Sequence, residues 1–481
     1  MEPAPRQSLT RRSLASAGFR VSANVFATLL ALGRAVVLAR LLPVEAFGLY
    51  ALAGALVAWS ACLGTLGMSA AILHRAPETR DEERAAAVHF TLVAAFSCLW
   101  AAIMAVIATA TATGSLRLAL LTLIGSTLVA NLAETPRALL VRRVEHRRLA
   151  LLQVLATAAS IAVAVPAAWW SGGIHALLAV DVVTSTVTVA LLYLWRPVWR
   201  PRITWPGEEL RYFVRFGARA ALADLIATSI VKLDKVWTGI VLGPMALGFY
   251  SRAFVFATYT QRTLFAPLNV IVGGSYAELA GDRERLSRAW LSSTAVLVRA
   301  SCAAAGALGL AAPELIGVVL GARWLPMETA FRILLVCTVL EPLRASLMAL
   351  FVAVGRPGIA ARIGLIQMAV LALGVFGAGQ RLGIAGVAAG LDVAIATGVV
   401  LLLLQARAHV TVAPVRLLTA PAAALLLGLA AGHGASLALA GSPAAAMAAA
   451  KIVAFGIAYA ATLLGLERRW LRELAATARI G

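Results

Sequence analysis

The sequence predicts an all-α polytopic membrane protein with about fourteen transmembrane helices, most of them in two parallel repeats. Three observations carry that expectation. The 481 residues are 61% hydrophobic and 13% charged, with a mean hydropathy of +0.88, whereas soluble domains are about 45–50% apolar and about 25% charged. Apolar runs of about 20 residues, the length that spans a bilayer, recur almost throughout, with no polar block long enough for a soluble domain. Arginines gather in the short connections between the runs. The runs lack the period-two alternation of barrel strands, and lipid admits only helices or closed barrels, so the spans are helical.

The expected spans are 17–40, 46–72, 86–112, 117–140, 150–170, 173–195, 216–242, 246–274, 289–312, 329–354, 359–379, 384–405, 416–437 and 444–466, each boundary good to about 2–4 residues. Alternate loops are strongly basic. They carry Arg75/Arg80/Arg84, Arg142/Arg143/Arg147/Arg148, Arg196/Arg200/Arg202/Arg211, Arg283/Arg285/Arg288, Arg356/Arg362 and Arg407/Arg416. The opposite loops carry little beyond Arg40, Arg117, Arg323, Arg381 and Lys451. Cytoplasmic loops are the basic ones, so both termini are expected in the cytoplasm. The net charge of +20 therefore reflects topology, and no nucleic-acid partner is expected. Arg11 and Arg12 fit a cytoplasmic flank better than a twin-arginine export signal.

An internal repeat is visible. ARLLPVEAFGLYALA (39–53) precedes GIVLGPMALGFYSRA (239–253) by 200 residues, matching Leu42 with Leu242, Ala46 with Ala246, Gly48 with Gly248, Tyr50 with Tyr250 and Ala53 with Ala253. GGIHALLAVD (172–181) likewise matches GIAGVAAGLD (383–392), setting Asp181 and Asp392 at equivalent depths. The copies begin an even number of spans apart, so they share one orientation and an axis along the membrane normal. The last two spans fall outside the repeat and read as an appendage.

Charges within the spans are the functional candidates, because a charge near the bilayer centre costs at least about 2.5–3.5 kcal/mol and faces a cavity or a partner. Of three lysines in the chain, Lys232 and Lys235 share the seventh span with Asp234. Span one carries Arg20 and Arg34, with Asn24 one turn above Arg20. Span seven carries a stripe of Asp224, Thr228 and Lys235, with Lys232 beside it and Arg215 and Arg219 at its cytoplasmic end. Span eight carries Arg252, Tyr259 and Arg262 on one face. Several of these arginines can instead snorkel to an interface. Lys232 and Lys235 lie on a face that Asp234 does not share, which suggests the lysines for an anionic ligand and Asp234 for a neighbouring helix. Basic groups outnumber Asp224 and Asp234, and such a surplus suits a phosphate.

The remaining buried acids are Glu134, Asp181, Glu341 and Asp392. Each can take a proton or cap a local helix break, and the structural reading is preferred. The cysteines (Cys62, Cys98, Cys302 and Cys337) form neither a disulfide framework nor a zinc pattern. No phosphate loop, HExxH motif or Ser/His/Asp cluster is present. No enzyme activity, cofactor or metal is expected.

LARLLPVEAFGLYALAGALVAWSACLGTLGMSAAILHR resembles the first two spans of the Wzx-type polysaccharide exporters and lipid-linked oligosaccharide flippases, within the multidrug/oligosaccharidyl-lipid/polysaccharide exporter superfamily. Its Arg-x-Leu-x-Pro-x-x-Phe-Gly-x-Tyr turn is Arg40, Leu42, Pro43, Phe47, Gly48 and Tyr50. LDKVWTGIVLGPMALGFYSRA and GARWLPMETAFRILLVCTVLEPLRASLMALFVAVGRP continue the resemblance, which covers residues 15–410. It implies two six-helix lobes (1–212 and 213–410) around a central cavity, followed by two additional helices and a tail (411–481). It also implies alternating access and translocation of an undecaprenyl-pyrophosphate-linked oligosaccharide across the bacterial inner membrane. Arg20, Arg34, Arg219, Lys232, Lys235, Arg252 and Arg262 are then the expected substrate-binding residues of a cationic cavity. Asp224 and Asp234 would have structural or coupling roles. A polysaccharide polymerase and chain-length machinery are candidate partners. The alternatives are a drug/cation antiporter, which favours acidic cavities, and a membrane polymerase, which needs a larger outer loop.

Overall fold

The computed structural model describes residues 25–68, 71–72, 82–143, 145–205, 207, 209–261, 274–439 and 441–468. Among the described residues there is no strand, and ten helices are long and apolar enough to cross a membrane. The chain is a multi-pass helical membrane protein.

Contacts divide it into two compact units, Met1–Gly248 and Phe249–Gly481. The first contains α1 (25–41), α2 (Val44–Thr65), α3 (Glu82–Thr111), α4 (Gly114–Leu132), α5 (Glu134–Arg142), α6 (His146–Ser171), α7 (Ile174–Leu194) and α8 (Glu209–Trp237). Here α2 is the central helix, packing against α3, α4, α7 and α8. α8 continues as a π-helical turn, Thr238–Leu242, and Gly243 at φ 89° ends it. α9 (Pro244–Thr260) runs across the division into the second unit.

The second unit adds α10 (Arg283–Leu310), the short α11 (Ala312–Leu315), α12 (Glu328–Ala353), α13 (Pro357–Ala406), α14 (Pro414–Ala438) and α15 (Ala444–Leu466). α13 is two spans and not one. Gly383 at φ 59° breaks the ladder between the two expected spans. Its repeat counterpart Gly172 ends α6 at φ 58°. The two breaks differ in ψ, 8° at Gly172 against −139° at Gly383, and share only the positive φ that glycine adopts without steric cost.

α14 and α15 are not an appendage. Leu417, Ala424, Phe455 and Tyr459 share one core with Trp290, Leu347 and Phe351 of α10 and α12. Arg299 of α10 forms an ion pair with Glu467, and Lys451 reaches Glu314 at 2.5 Å. The Tyr459 hydroxyl donates to the Arg299 carbonyl at 2.8 Å. Hydropathy cannot foresee this, because a helix facing lipid and a helix facing helices have the same composition when small residues do the packing.

The matched glycines of the first repeat meet each other. A Cβ on Gly48 would lie 1.7 Å from the Pro244 carbonyl oxygen, and a Cβ on Gly248 would lie 2.3 Å from that of Val44. Residues 44 and 244 are themselves repeat partners, so the approach is reciprocal. Without a hydrophobic force between helices in lipid, such backbone proximity supplies the packing energy.

Outside the spans, Asp282 caps α10 and accepts from the backbone N–H of Glu284 and of Arg285, each at 3.0 Å. The Arg285 amide is the main reason its carboxyl sits below the ordinary carboxylate range.

Two outcomes are expected. Gly48→Ala and Gly248→Ala each lower stability by about 1–3 kcal/mol or more, read by thermal unfolding in detergent. Gly125→Ala, whose Cβ meets nothing within 4 Å, is the neutral control. Asp282 has a depressed carboxyl, so its cap is complete above the ordinary carboxylate range and is lost only as pH falls through its own lower range. Hydrogen exchange at Glu284 and Arg285 should therefore accelerate only in that acid window.

Candidate charge sites within the membrane helices

Among the described residues of the first unit, two groupings of half-buried or buried charges stand out. The first draws on four helices. The Tyr50 hydroxyl of α2 donates to Asp181 Oδ2 of α7 at 2.7 Å. Arg34 of α1 donates to the Ser160 hydroxyl of α6, and it interacts electrostatically with Asp181 and Tyr50. Ser160 is fully buried, and its hydroxyl in turn donates to the Thr157 carbonyl at 2.7 Å. A guanidinium and a carboxylate at this depth offset each other's desolvation when hydroxyls satisfy their remaining sites.

The second set lies at the end of α8. Asp234 and Lys235 are 1% and 8% exposed, yet they are consecutive residues. Lys235 Nζ lies 3.0 Å from Asp234 Oδ2 and 3.2 Å from Oδ1, and it donates to the Val231 carbonyl at 3.0 Å. The Lys235 amide also donates to Asp234 Oδ1 at 2.8 Å. The Thr238 hydroxyl donates to the Asp234 carbonyl at 2.6 Å, at the start of the π turn. Helical spacing suggests a neighbouring helix for Asp234. Within its own helix it also pairs with Lys235, because the flexible lysine stem carries the ammonium round to the adjacent carboxylate.

The other candidates divide by position. Asp224 is exposed, and Thr228 and Lys232 are half-buried on α8. Arg219 belongs to α8. Arg252 and Tyr259 are half-buried on α9, in the second unit. Arg20 and Arg262 lie outside the described residues. Sequence reasoning missed the grouping of Tyr50, Ser160 and Asp181 around Arg34. The signal was present, since Tyr50 and Asp181 each fall in one of the repeat matches.

The acids with open alternatives are now placed. Glu341 pairs with Arg344 at 2.6 Å, and Glu134 with Arg137 at 3.4 Å. Asp181 has Tyr50. Asp392 is 7% exposed, and neither of its oxygens accepts a hydrogen bond. Among the described residues no group of three His, Cys, Asp or Glu side chains could hold a metal.

The family described as polysaccharide biosynthesis protein matches residues 37–329. The chain belongs to that family. The succinoglycan biosynthesis transport protein ExoT of Rhizobium meliloti (strain 1021) is 25% identical over 302 residues, 60% of this chain and 58% of that relative's length. The lipid II flippase MurJ in an inward closed conformation shares the fold, with a TM-score of 0.75 and 12% identity over 94% of this chain and 99% of the other. An inward-facing multidrug resistance MATE transporter of the MOP superfamily matches with a TM-score of 0.61 and 20% identity, over 82% of this chain and 97% of its own. These likenesses agree with the motifs in the first two spans and at LDKVW.

Removing one partner of the α8 pair takes the opposite charge away from the other in a buried site. Asp234→Asn should cost about 3–5 kcal/mol in thermal unfolding. The double replacement Asp234→Asn/Lys235→Met should recover most of that loss.

Proposed function

We propose that this chain carries an undecaprenyl-pyrophosphate-linked oligosaccharide from the cytoplasmic to the outer leaflet of the plasma membrane, for assembly of a surface polysaccharide. The observation that carries the reading is the combination of family membership with a surplus of basic over acidic groups on α1, α8 and α9. Arginine grips phosphate oxygens through two parallel hydrogen bonds and lysine supplies a point charge. A diphosphate therefore needs what Arg34, Lys232, Lys235 and Arg252 offer, with Arg20, Arg219 and Arg262 nearer the cytoplasmic ends of their spans.

The charge pairs bear on how the substrate would bind. Lys235 is held by Asp234 and Arg34 lies beside Asp181. An incoming diphosphate exchanges for carboxylates and does not enter a bare cationic pocket. This keeps the unloaded site electrically compensated, and it makes release possible once the carboxylates return. Two lobes, 1–212 and 213–410, rocking about the duplicated axis provide alternating access, as repeat-built transporters do. Both termini face the cytoplasm on the distribution of loop arginines. A polymerase and chain-length machinery are the proposed consumers of the product.

The MATE-like fold supports a second reading, export of a drug or cation. The basic surplus weighs against it, since a cationic cargo favours acidic sites.

Charge reversal separates the readings. Arg34→Glu, Lys232→Glu, Lys235→Glu and Arg252→Glu, each made at normal protein level in cells lacking the native gene, should reduce glycan export by about ten-fold or more. Normal export by all four would remove the anion path. Drug resistance conferred by the unaltered chain would favour the antiporter.

A further inference from the structure

The sequence repeat pairs two carboxylates, and their surroundings differ. Asp181 lies nine residues beyond Gly172, and Asp392 lies nine beyond Gly383, two glycines that both have positive φ. Asp181 accepts from Tyr50 and feels the charge of Arg34. Asp392 is 7% exposed, and both its oxygens are buried without a hydrogen-bond partner. The 200-residue offset that pairs Tyr50 with Tyr250 puts Asp234 at the position of Arg34. The second copy thus carries an acid where the first carries the guanidinium, and that acid's charge is already taken by Lys235.

The neighbours of Asp392 do not supply a substitute. α12 packs along α13 and turns the backbone of Cys337 toward the carboxyl, at a geometry too poor for a full hydrogen bond. On the next turns of α12, Thr338 donates to the Ala257 carbonyl at 2.6 Å, and Glu341 and Arg344 pair with each other at 2.6 Å. The first arm of α13 contributes Gln367, whose amide donates to the Ala394 carbonyl at 3.2 Å. On these turns of α12 the titratable and charged side chains are the Cys337 thiol and the mutually neutralised Glu341–Arg344 pair. Among the described residues no cation acts on the Asp392 carboxyl. Among the described residues no group of three His, Cys, Asp or Glu side chains gathers to hold a metal ion. Polar groups buried without a partner are rare in native structures and call for an explanation. Ionisable groups in membrane spans mark ion and proton pathways.

We propose that Asp392 is a proton-binding site of the C-terminal unit, a neutral carboxylic acid while enclosed and a proton donor to water when the arm beyond Gly383 exposes it. An unpartnered carboxylate is too costly to keep charged in this enclosure, so proton release and exposure to water are linked events. The neutral acid fits the site as found. The broken helix at Gly383 supplies the hinge nine residues away, where a few dihedral changes absorb the motion. In the transport cycle proposed above, on which this coupling role rests, movement of the glycan lipid is then tied to uptake and release of one proton. Asp181, held by Tyr50 and Arg34, does not exchange.

The test uses the full chain in lipid nanodiscs. Infrared difference spectra are taken as the pH is stepped from mildly acidic to alkaline. The expected result is a protonated-carboxyl band that disappears as pH rises, is absent in Asp392→Asn, and returns at a shifted position in Asp392→Glu. A band identical in the unaltered chain and in Asp392→Asn overturns the site. In cells, Asp392→Asn at normal protein level should lower glycan export by about ten-fold, with Asp392→Glu retaining most of it. Normal export by Asp392→Asn overturns the coupling role. If the unaltered chain moves no glycan, the transport reading fails, and the infrared result still decides the proton site.

Discussion

Hydrocarbon offers no hydrogen-bond partner, and this constraint accounts for most of what the chain does. Each span is helical so that its backbone satisfies itself. Serines and threonines within the spans turn back on their own helices, as Ser229 does to the Leu225 carbonyl at 2.6 Å and Thr258 to that of Phe254 at 2.7 Å. Charged groups obey the same rule with higher stakes. Lys235 takes the carboxylate of its immediate neighbour, Arg299 takes Glu467, and Lys451 takes Glu314. Asp392 departs from this rule, and the proposed proton is what would satisfy it.

The same absence of water removes the usual force that holds helices together. Two apolar helices in lipid gain little by touching unless their atoms approach closely. The chain's many alanines and glycines answer that need. Gly374 and Gly390 bring the two arms of α13 together, where a Cβ on the first would sit 2.7 Å from the Cα of the second. Gly306 leaves room for the ring of Phe455, which anchors α15 to α10. In the first unit α2 packs against four other helices, and in the second α10 packs against α12, α14 and α15.

What could be read from the letters follows from these two facts. Apolar length marks spans because every backbone group must be enclosed for about 30 Å. The break at residue 383 was legible as a boundary between spans, since glycine there interrupts two apolar runs. The duplication was legible because turns and close approaches restrict residue choice more than lipid-facing positions do. Pairing was not legible. Spacing ruled on which face of α8 a side chain leaves the backbone, but the lysine stem then travels further than that spacing describes. Arg34 was read as a ligand for substrate because its partner Asp181 is 147 positions away, and only the packing of α1, α6 and α7 brings Arg34, Ser160 and Asp181 into one neighbourhood. The last two helices looked peripheral because composition says nothing about which face of an alanine-rich helix meets protein.

The reciprocal approach of Gly48 and Gly248 carries an implication about ancestry. Each glycine receives the carbonyl of the residue four positions before its partner, so the surface is complementary to itself. Self-complementary patches of that form are how identical subunits pair about a twofold axis. A single-copy precursor with this turn dimerises through it, at a strength set by its concentration in the membrane. Fusion of two genes makes the same contact unimolecular and frees the halves to specialise.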